Sequence, residues 1–156
     1  MGKETERKFL VRGDFMPHVA SSSHIVQGYI ARSESLTLRV RTRDERGYIT
    51  IKGRTDDSGM TRAEWEYEIP VGEARELLAF SRGVIDKVRY LVPEGSHTFE
   101  VDRFAGANEG LVVAEVELES EDEPFERPEW LGEEVTGDRR YYNSQLLRHP
   151  YSEWEK

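Results

Sequence analysis

The side chains with the most chemistry to offer in this chain are charged and stand two residues apart. Glu4 and Glu6, Glu64 and Glu66, Glu100 and Asp102, and Glu115 and Glu117 are carboxylate pairs, while Arg39 and Arg41, and Lys87 and Arg89, are cationic pairs. Lys8 follows Glu6 at the same spacing, and Lys52 follows Thr50. On an extended chain, residues at i and i+2 share a face, so each carboxylate pair repels itself unless a cation neutralises it. Carboxylate oxygens suit a hard divalent cation such as Mg²⁺ or Mn²⁺ far better than Zn²⁺. Arg offers phosphate oxygens a two-pronged fork, and Lys offers a point charge. An anion that needs many cationic side chains and a metal together is most naturally a polyphosphate. Any antiparallel sheet with one face in water also alternates charged and apolar residues. Here the charged face is nearly pure and its signs are sorted strand by strand, which open solvent does not require.

The elements that must position these groups are strands. Period-two alternation runs through Glu4–Phe9, Leu36–Arg41, Ile49–Lys52, Glu64–Ile69, Lys87–Tyr90, Phe99–Asp102 and Ala114–Glu119, with a further strand expected over Gln27–Arg32. Turn residues such as Asp44-Glu45-Arg46-Gly47 and Pro93-Glu94-Gly95-Ser96 separate them. Helices are expected over Glu73–Phe80 and Asn143–Arg148, and an acidic loop over Ser120–Gly132. The expected fold is α+β, mainly β: an antiparallel barrel with a few flanking helices. Its apolar face packs outward and its charged face lines a tunnel. Trp65 and Tyr67 then fall on the outer face, and the tail from Ser152 to Lys156 is expected to fray.

The remaining composition bounds the function. One domain over residues 1–156 is expected, with no cysteine for a disulfide or thiolate site. The net charge of −9 argues against binding a nucleic-acid duplex or an anionic membrane nonspecifically. No run approaches the roughly 18 apolar residues of a membrane span, and the charged start lacks a signal-peptide core, so a cytoplasmic location is expected. His18, His24, His97 and His149 show no metal-ligand spacing. Oligomeric state, including a homodimer, stays open.

At Glu4-Thr5-Glu6-Arg7-Lys8 the chain resembles the CYTH superfamily, the triphosphate tunnel metalloenzymes, whose N-terminal signature is Glu-x-Glu-x-Lys. The resemblance continues through Leu38-Arg39-Val40-Arg41, Thr50-Ile51-Lys52, Arg62-Ala63-Glu64-Trp65-Glu66, Lys87-Val88-Arg89-Tyr90, Phe99-Glu100-Val101-Asp102 and Ala114-Glu115-Val116-Glu117. It implies an eight-stranded antiparallel tunnel open at its ends, dependence on Mg²⁺ or Mn²⁺, and a small triphosphate-containing substrate, most often inorganic tripolyphosphate. It implies phosphate binding by Lys8, Arg39, Arg41, Lys52, Lys87 and Arg89. Glu4, Glu6 and Glu117 would hold a metal, and Asp102 and Glu115 are assigned to metal as well. Glu64 and Glu66 could hold a second metal or the attacking water, and Tyr29 with Lys87 would orient the substrate. Relatives often carry Lys where this chain has Tyr142, and Arg139 and Arg140 are expected to take over that contact. Two alternatives stand beside hydrolysis of tripolyphosphate. One is an adenylate cyclase or organic triphosphatase of the same fold, and the other a polyphosphate-binding module without catalysis.

Overall fold

Alternating side chains of opposite polarity let a sheet close on itself with charges inside, and a computed structural model, which describes residues 2–155, has that form. The strands are β1 (Gly2–Val11), β2 (Ser21–Arg32), β3 (Leu36–Arg43), β4 (Arg46–Gly53), β5 (Thr61–Ile69), β6 (Ile85–Glu94), β7 (His97–Phe104), β8 (Val112–Glu117) and β9 (Leu131–Glu134). Helix α1 (Val71–Leu78) joins β5 to β6, and α2 (Asn143–Arg148) follows β9. The strands pair antiparallel in the order β5-β4-β3-β2-β6-β7-β8-β1-β9, and β1 also pairs with β5. That extra pairing closes an eight-stranded barrel.

β1 is the seam. One of its edges takes β8, while the other takes β5 at Glu4 and Thr5 and then β9 at Phe9 and Val11. Cross-strand partners project to the same side of a sheet. Glu4 lies opposite Arg62, Lys52 opposite Glu64, and Thr50 opposite both Arg39 and Glu66. Arg89 lies opposite Asp102, Glu115 opposite both Glu100 and Lys8, and Glu117 opposite Glu6. Every charged pair read from the sequence therefore lies on the one inner face.

With the interior charged, the apolar core sits outside the barrel wall. Phe9, Phe99, Val101, Ala114 and Val116 pack under Phe15, Leu118, Trp130 and Leu131. The acidic segment after β8 is irregular, as expected, but its last residues join β9, and Phe125 and Trp130 cap this core. Fully burying Phe9 and Phe99 makes each Phe→Ala change worth about 3–5 kcal/mol.

Three expectations need correction. Helix α1 starts at Val71, just after Pro70, and ends at Leu78; it buries Ala74 and leaves Phe80 76% exposed beyond its end. The tail is packed: Tyr151–Glu153 form a 3₁₀ turn, and the Trp154 ring lies 5.1 Å from that of Tyr141; Lys156 lies outside the described residues. The charged lining also stops short of one end. There Leu10, Ile85, Phe104 and Val113 occupy inward positions and pack with Val135, Tyr141 and Leu146, forming an apolar plug. Trp65 and Tyr67 do lie on the outer face, with Tyr67 58% exposed.

Candidate functional site

The barrel encloses a cavity of about 200 Å³. Of the residues expected to act, Glu4, Glu6, Lys8, Tyr29, Arg39, Arg41, Lys52, Glu64, Glu66, Lys87, Arg89, Glu115 and Glu117 line it together, as does Glu100. Six more residues join them: Thr37, Arg62, Tyr142, Asn143 and Ser144 in the lining, and Thr50 just behind it. Arg62 was legible, because it stands two residues before Glu64 on the same strand face. Asn143 and Ser144 reach the cavity from a segment distant in sequence, and no periodicity marks them.

The arginine wall is built by adjacent strands β3, β4 and β5. Thr50 Oγ1, fully buried, donates to Glu66 Oε2 at 2.8 Å and accepts from Arg39 Nη2 at 3.1 Å. Arg41 Nη2 donates to the same Glu66 oxygen at 3.3 Å. The Nε atoms of Arg39 and Arg41 are buried without an acceptor. Burial, with Arg39 and Arg89 nearby, pushes the Arg41 guanidinium down to about 10 despite Glu66. Buried donors that lack acceptors, in a wall crowded with positive charge, have an anion as their complement.

A second wall carries Lys87 and Arg89. Arg89 grips Asp102 with two bonds, Nε to Oδ1 at 2.8 Å and Nη2 to Oδ2 at 2.9 Å. Lys87 Nζ lies 2.8 Å from Asp102 Oδ2 and donates to Asn143 Oδ1 at 3.0 Å. Burial pushes Lys87 down to about 8; Asp102 offsets this only in part, and the nearby Arg89 charge lowers it further. Asp102 itself is lowered, since Arg89 and Lys87 outweigh its burial. It is 1% exposed and lies outside the cavity lining, so its carboxylate is committed to these two cations. The structure thus places this expected metal ligand behind the lining, paired with Lys87 and Arg89. Tyr29 reaches the cavity from β2. Its backbone N–H donates to Ser81 Oγ at 3.0 Å, an approach that Gly28 permits, since a Cβ there would lie 2.5 Å from that oxygen.

The carboxylates form pairs. Glu6 is raised well above its usual value by burial, by the Glu115 charge and by the hydrogen bond between them. Glu115 is held well below the usual range, because Lys8 and that same bond outweigh burial. Glu64 is raised by burial and by its hydrogen bond with Glu4. Glu4 goes down to about 2, as Lys52, Glu64 and Arg62 overcome its burial. Glu117 is raised by burial and by Glu4 and Glu100. In the two hydrogen-bonded pairs, Glu6 with Glu115 and Glu64 with Glu4, the raised carboxyl favours holding a proton against its lowered partner. Among the described residues no three carboxylates already converge on one point. The donor set is nonetheless all hard oxygen, and a hard divalent cation in place of those protons fits that chemistry.

Arg139 and Arg140 stand outside the tunnel, against expectation. Arg140 is exposed and held by Asp138 at 2.7 Å, while Arg139 faces cavities at the surface. The cavity position belongs to Tyr142, whose ring lies 5.3 Å from Lys8 Nζ and 6.0 Å from the Arg62 guanidinium.

Comparison with known proteins agrees with this geometry. The chain is 47% identical over its full length, and the full length of the relative, to an inorganic triphosphatase of Acetivibrio thermocellus. It is 38% identical to an inorganic triphosphatase of Nitrosomonas europaea, covering 92% of this chain and 95% of that one. The crystal structure of the inorganic triphosphatase NE1496 superposes with a TM-score of 0.68 at 34% identity, over 94% of this chain and 95% of that one. The CYTH domain model matches residues 2–145, so the chain belongs to the CYTH domain family.

Proposed function

We propose that this chain hydrolyses an inorganic triphosphate to pyrophosphate and phosphate, with Mg²⁺ or Mn²⁺, inside the barrel. The observation that carries the reading is a single cavity lined by cations with unmatched donors on one side and paired carboxylates on another. The two relatives named as inorganic triphosphatases support the choice of substrate.

Lys8, Arg39, Arg41, Lys52, Arg62, Lys87 and Arg89 bind the phosphate oxygens. Glu4, Glu6, Glu115 and Glu117 would hold the metal, which when bound offsets charge on the phosphoryl oxygens. Tyr29 and Lys87 orient the terminal phosphoryl group. A water oxygen bonds to the terminal phosphorus as the bridging P–O bond breaks, and its proton passes to Glu64 or Glu66. Thr50 and Arg41 fix the Glu66 carboxylate at this position. The arrangement supplies charge complementarity before the reaction starts.

A panel of tripolyphosphate, ATP, thiamine triphosphate and pyrophosphate, read by phosphate and by cyclic AMP release, tests the reading. Tripolyphosphate should give the highest kcat/KM. Cyclic AMP formation, or a strong preference for a nucleotide, would replace it with the cyclase or organic triphosphatase alternative. Tight tripolyphosphate binding without phosphate release would point to the non-catalytic module.

A further inference from the structure

A triphosphate approaching a chain of net charge −9 is repelled at long range, so where it first touches the protein matters. The two ends of the barrel differ in this respect. Toward one end, the cations Arg41 and Arg89 are already paired with Glu66 and Glu100. At the other end the apolar plug fills the side of β6, β7, β8 and β1, and two surface cavities of about 730 and 980 Å³ lie beside β2 and β3. Arg32, at the end of β2, and Arg139 line both, and Arg148, in the last turn of α2, lines the larger; Glu34 also lines both, and Asp56 and Asp57 line the smaller. Three separate segments therefore bring three guanidinium groups to one place.

Two observations mark this cluster as more than surface charge. Arg32, Arg139 and Arg148 make no ion pair among the described residues, whereas the neighbouring Arg140 is bound to Asp138. The cavities also adjoin the tunnel: Arg62 and Tyr142 line both the tunnel and the smaller cavity, and Tyr29 and Ser144 line both the tunnel and the larger. The Arg32 guanidinium is lowered by partial burial and then by Arg148 and Arg139, a sign of mutual repulsion.

We propose that Arg32, Arg139 and Arg148 form a docking site for the inorganic polyphosphate anion outside the tunnel, from which it passes inward beside Tyr29 and Arg62. The identity of the anion rests on the triphosphatase reading; the site itself rests on the cluster. Convergent cations beside a low-dielectric wall raise the local anion concentration and the rate of capture, by about ten- to a thousandfold where steering is strong. The effect fades as salt screens it, over about 10 Å at 0.1 M ionic strength.

The test is a triple variant, Arg32→Gln, Arg139→Gln and Arg148→Gln, beside a control triple, Arg12→Gln, Arg75→Gln and Arg103→Gln, with the same change in net charge. With tripolyphosphate at low ionic strength, the docking triple should lose about tenfold or more in kcat/KM, with the loss outside kcat. The gap to wild type should close as salt rises, and the control should lose far less. A second arm titrates tripolyphosphate calorimetrically into EDTA-treated protein, which needs no turnover. Affinity there should weaken more for the docking triple than for the control. Equal losses in the two triples, or a loss confined to kcat, would overturn the docking site. An inactive wild type that still shows the calorimetric difference would instead sink the hydrolysis reading and leave the docking site standing.

Discussion

Replacing Asp102 by Asn removes the counter-charge that Lys87 and Arg89 share. The side chains of Lys87 and Asp102 are each 2% exposed, so solvent cannot take over. Breaking a buried pair by removing one partner costs about 3–5 kcal/mol. Some relief is available. Arg89 cannot shed its proton and keeps only Glu100, at 3.3 Å. Lys87 can, because burial already holds it at about 8, and without Asp102 it falls further. Each pH unit of such a fall is worth about 1.4 kcal/mol, so neutralising Lys87 at pH 7 limits the net loss to about 2–4 kcal/mol. The sign of the pH dependence follows from linkage. Lys87 is lowered from 10.5 to about 8, so between those values the unfolded chain binds more protons and this group's contribution to stability rises with pH. In the variant that rise begins at lower pH. The deficit against wild type should therefore shrink by about 1 kcal/mol between pH 7 and pH 9. Urea unfolding at the two pH values measures both quantities, and KM for tripolyphosphate at pH 7 should rise as Lys87 loses its charge. A deficit under about 1 kcal/mol, or one that grows with pH, would refute the claim that Asp102 serves these two cations.

Arg41→Ala should lower kcat/KM by about tenfold or more, since a charge-assisted bond lost in a desolvated site costs roughly 1.5–3 kcal/mol. Its unfolding midpoint should hold or rise because a repelled buried cation is gone; unchanged kinetics would place Arg41 outside substrate contact. Glu6→Gln should abolish most turnover while calorimetry still shows tripolyphosphate binding, and normal turnover would remove Glu6 from the metal ligands. EDTA should stop phosphate release and Mg²⁺ or Mn²⁺ restore it, whereas full activity in metal-stripped protein would end the metal mechanism. Arg7→Ala should cost only about 1 kcal/mol, because its pair with Glu134 at 2.6 Å is partly exposed and screened. Arg7 holds Glu134 below its usual range, so this contribution is present above that range and is lost as pH falls through the lowered value. A deficit that persists in strong acid would show that Arg7 acts by packing instead.

The barrel and most of its lining were legible because strand alternation has a period of two and sequence records parity directly. Once Glu4, Arg39, Lys52, Glu66, Lys87 and Glu115 are placed on the charged face, closing the sheet brings them together whatever the register. Register is what parity cannot supply. It puts Asp102 between Lys87 and Arg89 and leaves Glu115 beside Lys8 and Glu6, although the two acids look alike in sequence. The C-terminal segment was hard to read for a different reason. Asn143 meets Lys87 only because α2 is anchored by Leu146 and Tyr141 on the plug, a tertiary contact with no local signature. Arg139 and Arg140 invited a role in the tunnel by their charge, but the chain turns at Asp138, which caps this turn and binds Arg140.

A charged interior also explains where this protein keeps its apolar residues. A small barrel normally fills its interior with side chains that pack on one another. Here that volume is given to Arg, Lys and Glu, and the core must form between the outer wall and whatever covers it. The covering segments are therefore not free to be ordinary polar loops. The stretch after β8 reads as acidic and proline-bearing, yet Phe125 and Trp130 within it meet the rings of Phe9, Phe15 and Phe99. The opposite constraint acts at the plug, where inward positions turn apolar and the C-terminal tail supplies Tyr141, Leu146 and Trp154 to meet them. The same tail supplies Tyr142, Asn143 and Ser144 to the cavity. Stability and site geometry are thus coupled through one segment. A change that loosens the plug also shifts the groups that hold Lys8 and Lys87, even though it touches neither phosphate nor metal.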